Sequence, residues 1–281
     1  MGPLAKKEFM MPQIEIILFW VTLFTYVGAF ALQVFSFVSR KERITSAALL
    51  LLWGGLLVHT ATGIARWIIS EHPPVTDTYE LNLTGTWFAI LIFLVFWKMG
   101  KVEKTIALVL VPISFLLLGY GYLSGTEITP MGPAFQSPWL IVHVIFAWLA
   151  FGCYAIATGA AFFLLMKIKK PEARRLQKLP APEVLDINSY RFIVLGFINH
   201  AIMLISGAIW AKKLWGHYWS WDPLETWSLI AFLYYAFYLH ARSFLGWKMK
   251  RAAWLTLLGL LVLAISFWGV ELFGPTVHPG P

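Results

Sequence analysis

The run WLIVHVIFAWLAFGCYAIATGAAFFLLM, residues 139–166, contains no Asp, Glu, Lys or Arg, and it decides the class of fold. A helix that crosses a bilayer needs about 20 mainly apolar residues, and this run exceeds that. Seven further stretches qualify, at about 14–38, 44–70, 83–99, 105–122, 189–211, 226–246 and 252–273. The expected fold is therefore all-α, a polytopic membrane protein with about eight transmembrane helices. The composition agrees: 59% of the 281 residues are hydrophobic and 13% charged, about half the charge of an ordinary soluble domain. That excludes a soluble globular enzyme, a disordered chain and a nucleic-acid-binding domain. The net charge of +8 reads instead as basic loops on one side of a membrane.

Residues 1–281 read as a single multi-pass domain. No connection is long enough to hold a separate soluble domain, and no repeat is visible. The first span is too long for a cleaved signal peptide and lacks a small-residue cleavage site. Lys and Arg in the loops after spans one, three, five and seven number sixteen, against four on the other side: Lys6, Lys7, Lys212 and Lys213. The positive-inside rule then puts both termini on the outer side, together with residues 71–82, 123–138, 212–225 and 274–281. Those outer pieces are poor in charge and rich in Trp, Pro and Gly, so unusual chemistry is expected there. The single cysteine, Cys153, excludes a disulfide framework, a cysteine zinc site and a CxxC redox pair within this chain.

The outer segment Trp215-Gly-His-Tyr-Trp219-Ser-Trp221-Asp222-Pro-Leu-Glu225-Thr-Trp227 is the most informative. An interfacial aromatic belt would explain one or two of these rings, not four tryptophans in thirteen residues. Flat aromatic surface in this quantity suits a large planar apolar ligand. Asp222, Pro223 and Glu225 also fit N-cap, N1 and N3 of a capping box that starts the seventh span. A catalytic carboxylate role is the weaker alternative.

The pattern WGxYWxWDPxETW, followed by Tyr-x-Leu-His240-Ala-Arg242, resembles the tryptophan-rich WWD signature of haem-handling proteins in cytochrome c biogenesis. In this version it resembles the CcsA (ResC) family of the two-component System II route. The resemblance includes His59-Thr ahead of Arg66-Trp67, His72-Pro with Tyr79-Glu80, and His143 through His278. It implies a WWD haem-handling region at about 139–281. It also implies a holocytochrome c synthase (cytochrome c haem lyase) activity, working with a CcsB/ResB-type membrane subunit. Haem b is implied as the bound substrate, apocytochrome c as its acceptor, and thiol-reducing thioredoxin-like proteins as further partners. The membrane implied is the bacterial plasma membrane, or the thylakoid membrane.

Each histidine has a place in that scheme. His143, about 6 Å into span five from the outer side, and His278 in the outer tail match the family's axial ligands of the external haem. His240 lies about 21 Å from the outer side and matches the family's intramembrane ligand, whose counterpart comes from CcsB. His59 and His200 lie at similar depth near the midplane, which permits a bis-histidine haem. His59 is equally a helix contact alongside Arg66, and His200 is read as structural. His72 and His217 are not read as iron ligands. Lys212, Lys213 and Arg66 are candidates for the haem propionates, with snorkelling as the plain alternative for the lysines. Trp215, Trp219, Trp221 and Asp222 complete the expected haem site.

With one buried-span cysteine, the thiols that react with haem vinyls must come from the substrate. This chain's expected share is orientation of the ring and exclusion of water. Three rivals remain: a CcmC-like haem delivery protein, a b-type electron-transfer subunit using His59 and His200, and a secondary transporter. Paired interrupted spans that mark many transporters are not visible.

Overall fold

The computed structural model describes residues 3–128 and 130–269, with side chains from Pro12 onward. Eight long helices carry the fold: α1 (Pro3–Ser39), α2 (Glu42–Ser70), α3 (Thr78–Lys98), α4 (Ala107–Leu123), α5 (Pro138–Lys169), α6 (Pro182–Trp215), α7 (Pro223–Ser243) and α8 (Lys250–Ala264). A wider π-type turn, Ile265–Gly269, extends α8. No strand occurs among the described residues. The protein is an all-α, multi-pass membrane protein. Among the described residues, seven helices are both long and apolar enough to span. The exception is α7, 21 residues long, which carries Glu225, His240 and Arg242.

Helix α5 is the central one, packed on α3, α4, α6 and α8. Small residues allow that crowding, because Gly and Ala let helix backbones approach closely. Ala155, Ala157, Ala160 and Ala161 are all fully buried. Tyr154 of α5 stacks on Tyr235 of α7 with ring centroids 3.6 Å apart.

Polar pairing marks the two ends of the bundle. At one end Glu42 joins Lys104 and Lys178, which ties the α1–α2, α3–α4 and α5–α6 connections together. Near it, Arg242 makes a two-pronged bond to Asp186 at 2.8 and 2.7 Å, and Asp186 also accepts the amide of Met249. At the other end Arg66, fully buried, donates to Glu80 at 2.8 Å and to Asp77 at 3.1 Å. Nη2, which meets Asp77, also donates to the carbonyl of Glu127, while Nη1 donates to the carbonyl of Thr126 and approaches Glu15 at 3.9 Å. This pairing explains why α3 begins at Thr78, five residues before the apolar run from residue 83. Asp77 caps the helix by accepting the Glu80 amide, and Glu80 is buried only because Arg66 meets it. Helix α6 likewise begins at Pro182, ahead of residue 189, with Asp186 buried against Arg242.

Candidate functional site

Between α3, α5, α6, the start of α7 and the turn after α8 lies a cavity of about 290 Å³. It lies at the Arg66 end, since residues 75–82 form part of its wall and the 133–135 turn contributes Phe135. Helix α5 presents Leu140, His143, Val144, Ala147 and Trp148, a single helical face at i, i+3, i+4, i+7 and i+8. Helix α6 presents His200, Met203, Leu204, Gly207 and Trp210 in the same manner. Phe267 and Trp268 close it from the α8 side, and Trp219 and Leu224 from the tryptophan loop. No Lys or Arg lines the cavity among the described residues.

His143 is fixed by its neighbours. Its Nδ1 lies 2.9 Å from the carbonyl of Met203, an acceptor, so Nδ1 carries the proton. That sets Nε2 as the basic nitrogen, the arrangement found in imidazole metal ligands. The ring fits because residue 207 is glycine: a Cβ there would lie 2.7 Å from Nδ1. Trp210 lies beside it at 6.2 Å between ring centroids, anchored by its Nε1 on the carbonyl of Ala134.

Trp148 and Trp219 both line the cavity, and both have buried indole nitrogens without a hydrogen-bond partner among the described residues. Trp148 stacks on Phe267 at 5.2 Å. Trp268 donates to the Oδ1 of Asn82 at 3.2 Å, which docks the end of α8 on α3 and brings the chain's last described residues to the cavity.

Of the tryptophans in that loop, only Trp219 lines the wall among the described residues. Trp215 ends α6 with its ring 6.0 Å from that of Trp210. Trp221 is 70% exposed, in a left-handed backbone conformation (φ +61°) that turns the chain into α7. Such a conformation strains a bulky residue, and the loop keeps it because Asp222 and Glu225 fasten the turn. Asp222 accepts the amides of Leu224 and Glu225, and Glu225 reaches back to the amide and hydroxyl of Ser220. Asp222 therefore acts on the helix start, off the cavity wall, while Glu225 lies on that wall.

The other expected residues fall elsewhere. Arg66 does not line the cavity, and its guanidinium is taken up by carboxylates and carbonyls. Lys212 and Lys213 are exposed at the end of α6, where Lys212 bonds the carbonyl of Gly216. His59 is buried away from the cavity, with Nδ1 3.1 Å from the hydroxyl of Tyr26. His200 does line the cavity, with Nδ1 3.5 Å from the Tyr154 hydroxyl, so the two midplane histidines do not share a site. His240 is exposed on α7 and stacks on Phe244 at 4.8 Å. His72 is buried, its Nδ1 bonded to the carbonyl of Pro73, and His217 is exposed. His278, and the tail that carries it, lie outside the described residues.

The sequence reading did not single out Trp148, Trp210, Phe267 or Trp268. The available signal was the spacing of the α5 and α6 stripes around His143 and His200, which share one face with these rings.

Fold and cavity together define a multi-pass helical membrane protein with an aromatic, histidine-bearing chamber at one end. The sequence matches the family described as cytochrome C assembly protein over residues 10–278. A cytochrome c biogenesis protein CcsA from Trieres chinensis is 32% identical over 249 residues, covering 76% of this chain and 80% of that one. Another CcsA, from Parasynechococcus marenigrum (strain WH8102), is 30% identical over 275 residues, covering 86% and 88%. Among solved structures, the cytochrome c haem lyase CcmF shares the fold, with a TM-score of 0.63 at 16% identity over 94% of this chain and 49% of that one. The chain belongs to the cytochrome c assembly family, as a CcsA-type member of cytochrome c biogenesis.

Proposed function

We propose that this protein binds haem b in the aromatic chamber, presents it on the outer face of the membrane, and attaches it to the CxxCH thiols of apocytochrome c. The observation that carries the proposal is the fixed tautomer of His143 within a wall of tryptophan and phenylalanine rings. An imidazole whose Nδ1 is anchored to a carbonyl is suited to hold iron through Nε2, and the flanking rings suit a flat apolar macrocycle. The two indole N–H groups that are unpaired among the described residues add donors for a ligand that brings acceptors.

His278 is the proposed second axial ligand. It lies nine positions beyond Gly269, whose neighbours Phe267 and Trp268 line the chamber. Extended chain covers up to about 3.6 Å per residue, so a return to the chamber is within reach. When the histidine of an incoming CxxCH replaces one of these ligands, the substrate's thiols are held against the haem vinyls. Positioning of this kind converts an encounter into a local reaction, and no side chain here needs to move a proton. Lys212 and Lys213, exposed beside the tryptophan loop, remain available to charge at the mouth.

His240 is the proposed intramembrane ligand. On α7 it shares an exposed face with Ile230, Leu233, Phe237 and Phe244, spaced at helical intervals. An ionisable side chain on such a face calls for a protein partner, for which a CcsB-type subunit supplying the opposing ligand is the natural candidate. Thioredoxin-like proteins that keep the apocytochrome thiols reduced are the remaining proposed partners. Both chain termini and the chamber would face outward, with the Lys/Arg-rich connections in the cytoplasm or stroma, in a bacterial plasma membrane or a thylakoid membrane.

The test is co-expression of this chain and a CcsB-type subunit with a reporter cytochrome c. Covalent haem that survives denaturing electrophoresis is the expected result, lost when His143 and His278 are both replaced by Ala. Unchanged attachment in that double variant overturns the ligand assignment.

A further inference from the structure

Trp148 has an indole nitrogen that the fold leaves unused. The side chain is 3% exposed, lines the chamber, and its Nε1 has no hydrogen-bond partner among the described residues. A buried N–H without an acceptor costs free energy, so such groups are rare and call for an explanation. The indole has little freedom to turn away. Its six-membered ring packs on Gly85 so closely that a Cβ there would lie 2.6 Å from Cε3, and its face stacks on Phe267. Packing of the benzo edge on α3 leaves the pyrrole edge, with Nε1, on the other side of the ring system.

Depth gives this donor a specific use. Trp148 follows His143 by five residues on α5, about 7.5 Å further from the outer end. That step is comparable with the distance from the iron of a haem to the carboxyl of its propionate. Vinyl and propionate groups occupy opposite edges of the macrocycle. If the vinyl edge faces outward to meet thiols, the propionate edge points inward, toward the level of Trp148. No Lys or Arg lines the chamber among the described residues, so neutral donors must satisfy any carboxyl that enters. The amide of Asn82 donates one N–H to Thr78 and accepts from Trp268, which holds its plane in place.

We infer that the indole N–H of Trp148 receives a carboxyl oxygen of the tetrapyrrole, so that the chamber takes the ring propionate edge first. This rests on the haem reading of the chamber given above. An ionised carboxyl accepts this hydrogen bond more strongly than a neutral ester carbonyl does, and the indole thereby sets which edge of the ring faces out. Trp219, whose indole N–H is also unpartnered among the described residues, belongs to the loop at the outer end and is not equivalent.

The experiment titrates the purified full-length protein with haem and with haem dimethyl ester, following the Soret band, in wild type, Trp148→Phe and Trp254→Phe. Trp254 is exposed on α8 and controls for loss of an indole. Wild type and Trp254→Phe are expected to bind haem about tenfold more tightly than the diester, the loss typical of one hydrogen bond to a charged group. In Trp148→Phe that preference is expected to collapse to about twofold or less, with the Soret position retained. A full preference in Trp148→Phe overturns the inference and leaves the haem reading intact. Wild type that binds neither compound overturns the haem reading, and this inference with it. Ultraviolet resonance Raman of the wild type gives a readout that needs no variant. An indole N–H band should shift further with haem than with the diester, and a spectrum identical for the two is contrary to the inference.

Discussion

The Nδ1 of His143 donates to the carbonyl of Met203 at 2.9 Å, across the α5–α6 contact. One bond thereby fixes the ring's tautomer and its rotation toward the chamber. It also makes Gly207 a sensitive position, because a methyl group there meets His143 Nδ1 at 2.7 Å. Gly207→Ala is expected to push the ring off Met203 and reduce haem per polypeptide at least threefold, read from the Soret absorbance of the purified protein. Gly63→Ala, in open space on α2, is expected to leave haem content unchanged. Equal haem in Gly207→Ala and wild type would show that the Met203 contact does not set the ligand.

Arg66 is the next vulnerable point. Its removal leaves Glu80 fully buried and Asp77 half-buried without their cation. Breaking a buried pair from one side typically costs about 3–5 kcal/mol, and Arg66→Met is expected to lose that much in thermal unfolding in detergent. Arg66→Lys is expected to recover only part of it, since one ammonium cannot replace a guanidinium bonded to two carboxylates and two carbonyls.

The same site has a pH signature. Burial pushes the Asp77 carboxyl above the ordinary carboxylate range, against the opposing pull of the Glu80 amide and Arg66. A raised value means that the folded state binds the proton more readily than the unfolded one. The penalty for holding Asp77 ionised is therefore complete at neutral pH and disappears as the pH falls through the raised value. Arg66→Met loses the cation that opposes the shift, so its deficit in Tm against wild type is expected to shrink between pH 7.5 and pH 5.5. A deficit that grows on acidification would contradict this account.

How far the sequence reveals such features depends on whether they are local. The spans were legible because apolar runs declare themselves within one helix, and the Asp222 cap because N-cap chemistry spans three residues. The true starts of α3 and α6 were not legible. Their first turns carry Asp77, Glu80 and Asp186, polar residues whose burial depends on Arg66 and Arg242 on other helices. The density of tryptophans at 215–227 was legible, but which ring turns inward was not, because that follows from the backbone at Trp221 and the packing of α7. Trp148 and Trp268 looked like any other aromatic residue in a span. What distinguishes them is which helices face each other across the chamber, a matter of tertiary packing alone.

Asp222 offers a clean separation of a structural from a chemical role. Its Oδ1 accepts the Leu224 amide at 2.8 Å, and asparagine can do the same while an alanine cannot. Asp222→Ala is expected to cost about 1 kcal/mol of stability and to loosen Trp219, lowering haem content severalfold. Asp222→Asn is expected to stay near wild type in both. An Asn variant as defective as Ala would point to a requirement for the charge itself.

His240 should behave oppositely to the chamber residues. Its side chain is exposed beside Phe244 and ties no two helices together among the described residues, so truncation removes little packing. His240→Ala is expected to unfold within about 0.5 kcal/mol of wild type, the range of ordinary surface substitutions. Haem bound by the chain alone in the chamber is expected to persist, since His143 is untouched. The loss should appear when the CcsB-type subunit is co-expressed, as a fall in the haem that co-purifies with the complex and in its delivery to the reporter cytochrome. The contrast arises because an exposed histidine on an apolar helix face can complete an iron site only with a ligand from outside the chain. Normal haem content in the His240→Ala complex would remove α7 from the haem path and leave its exposed face to lipid.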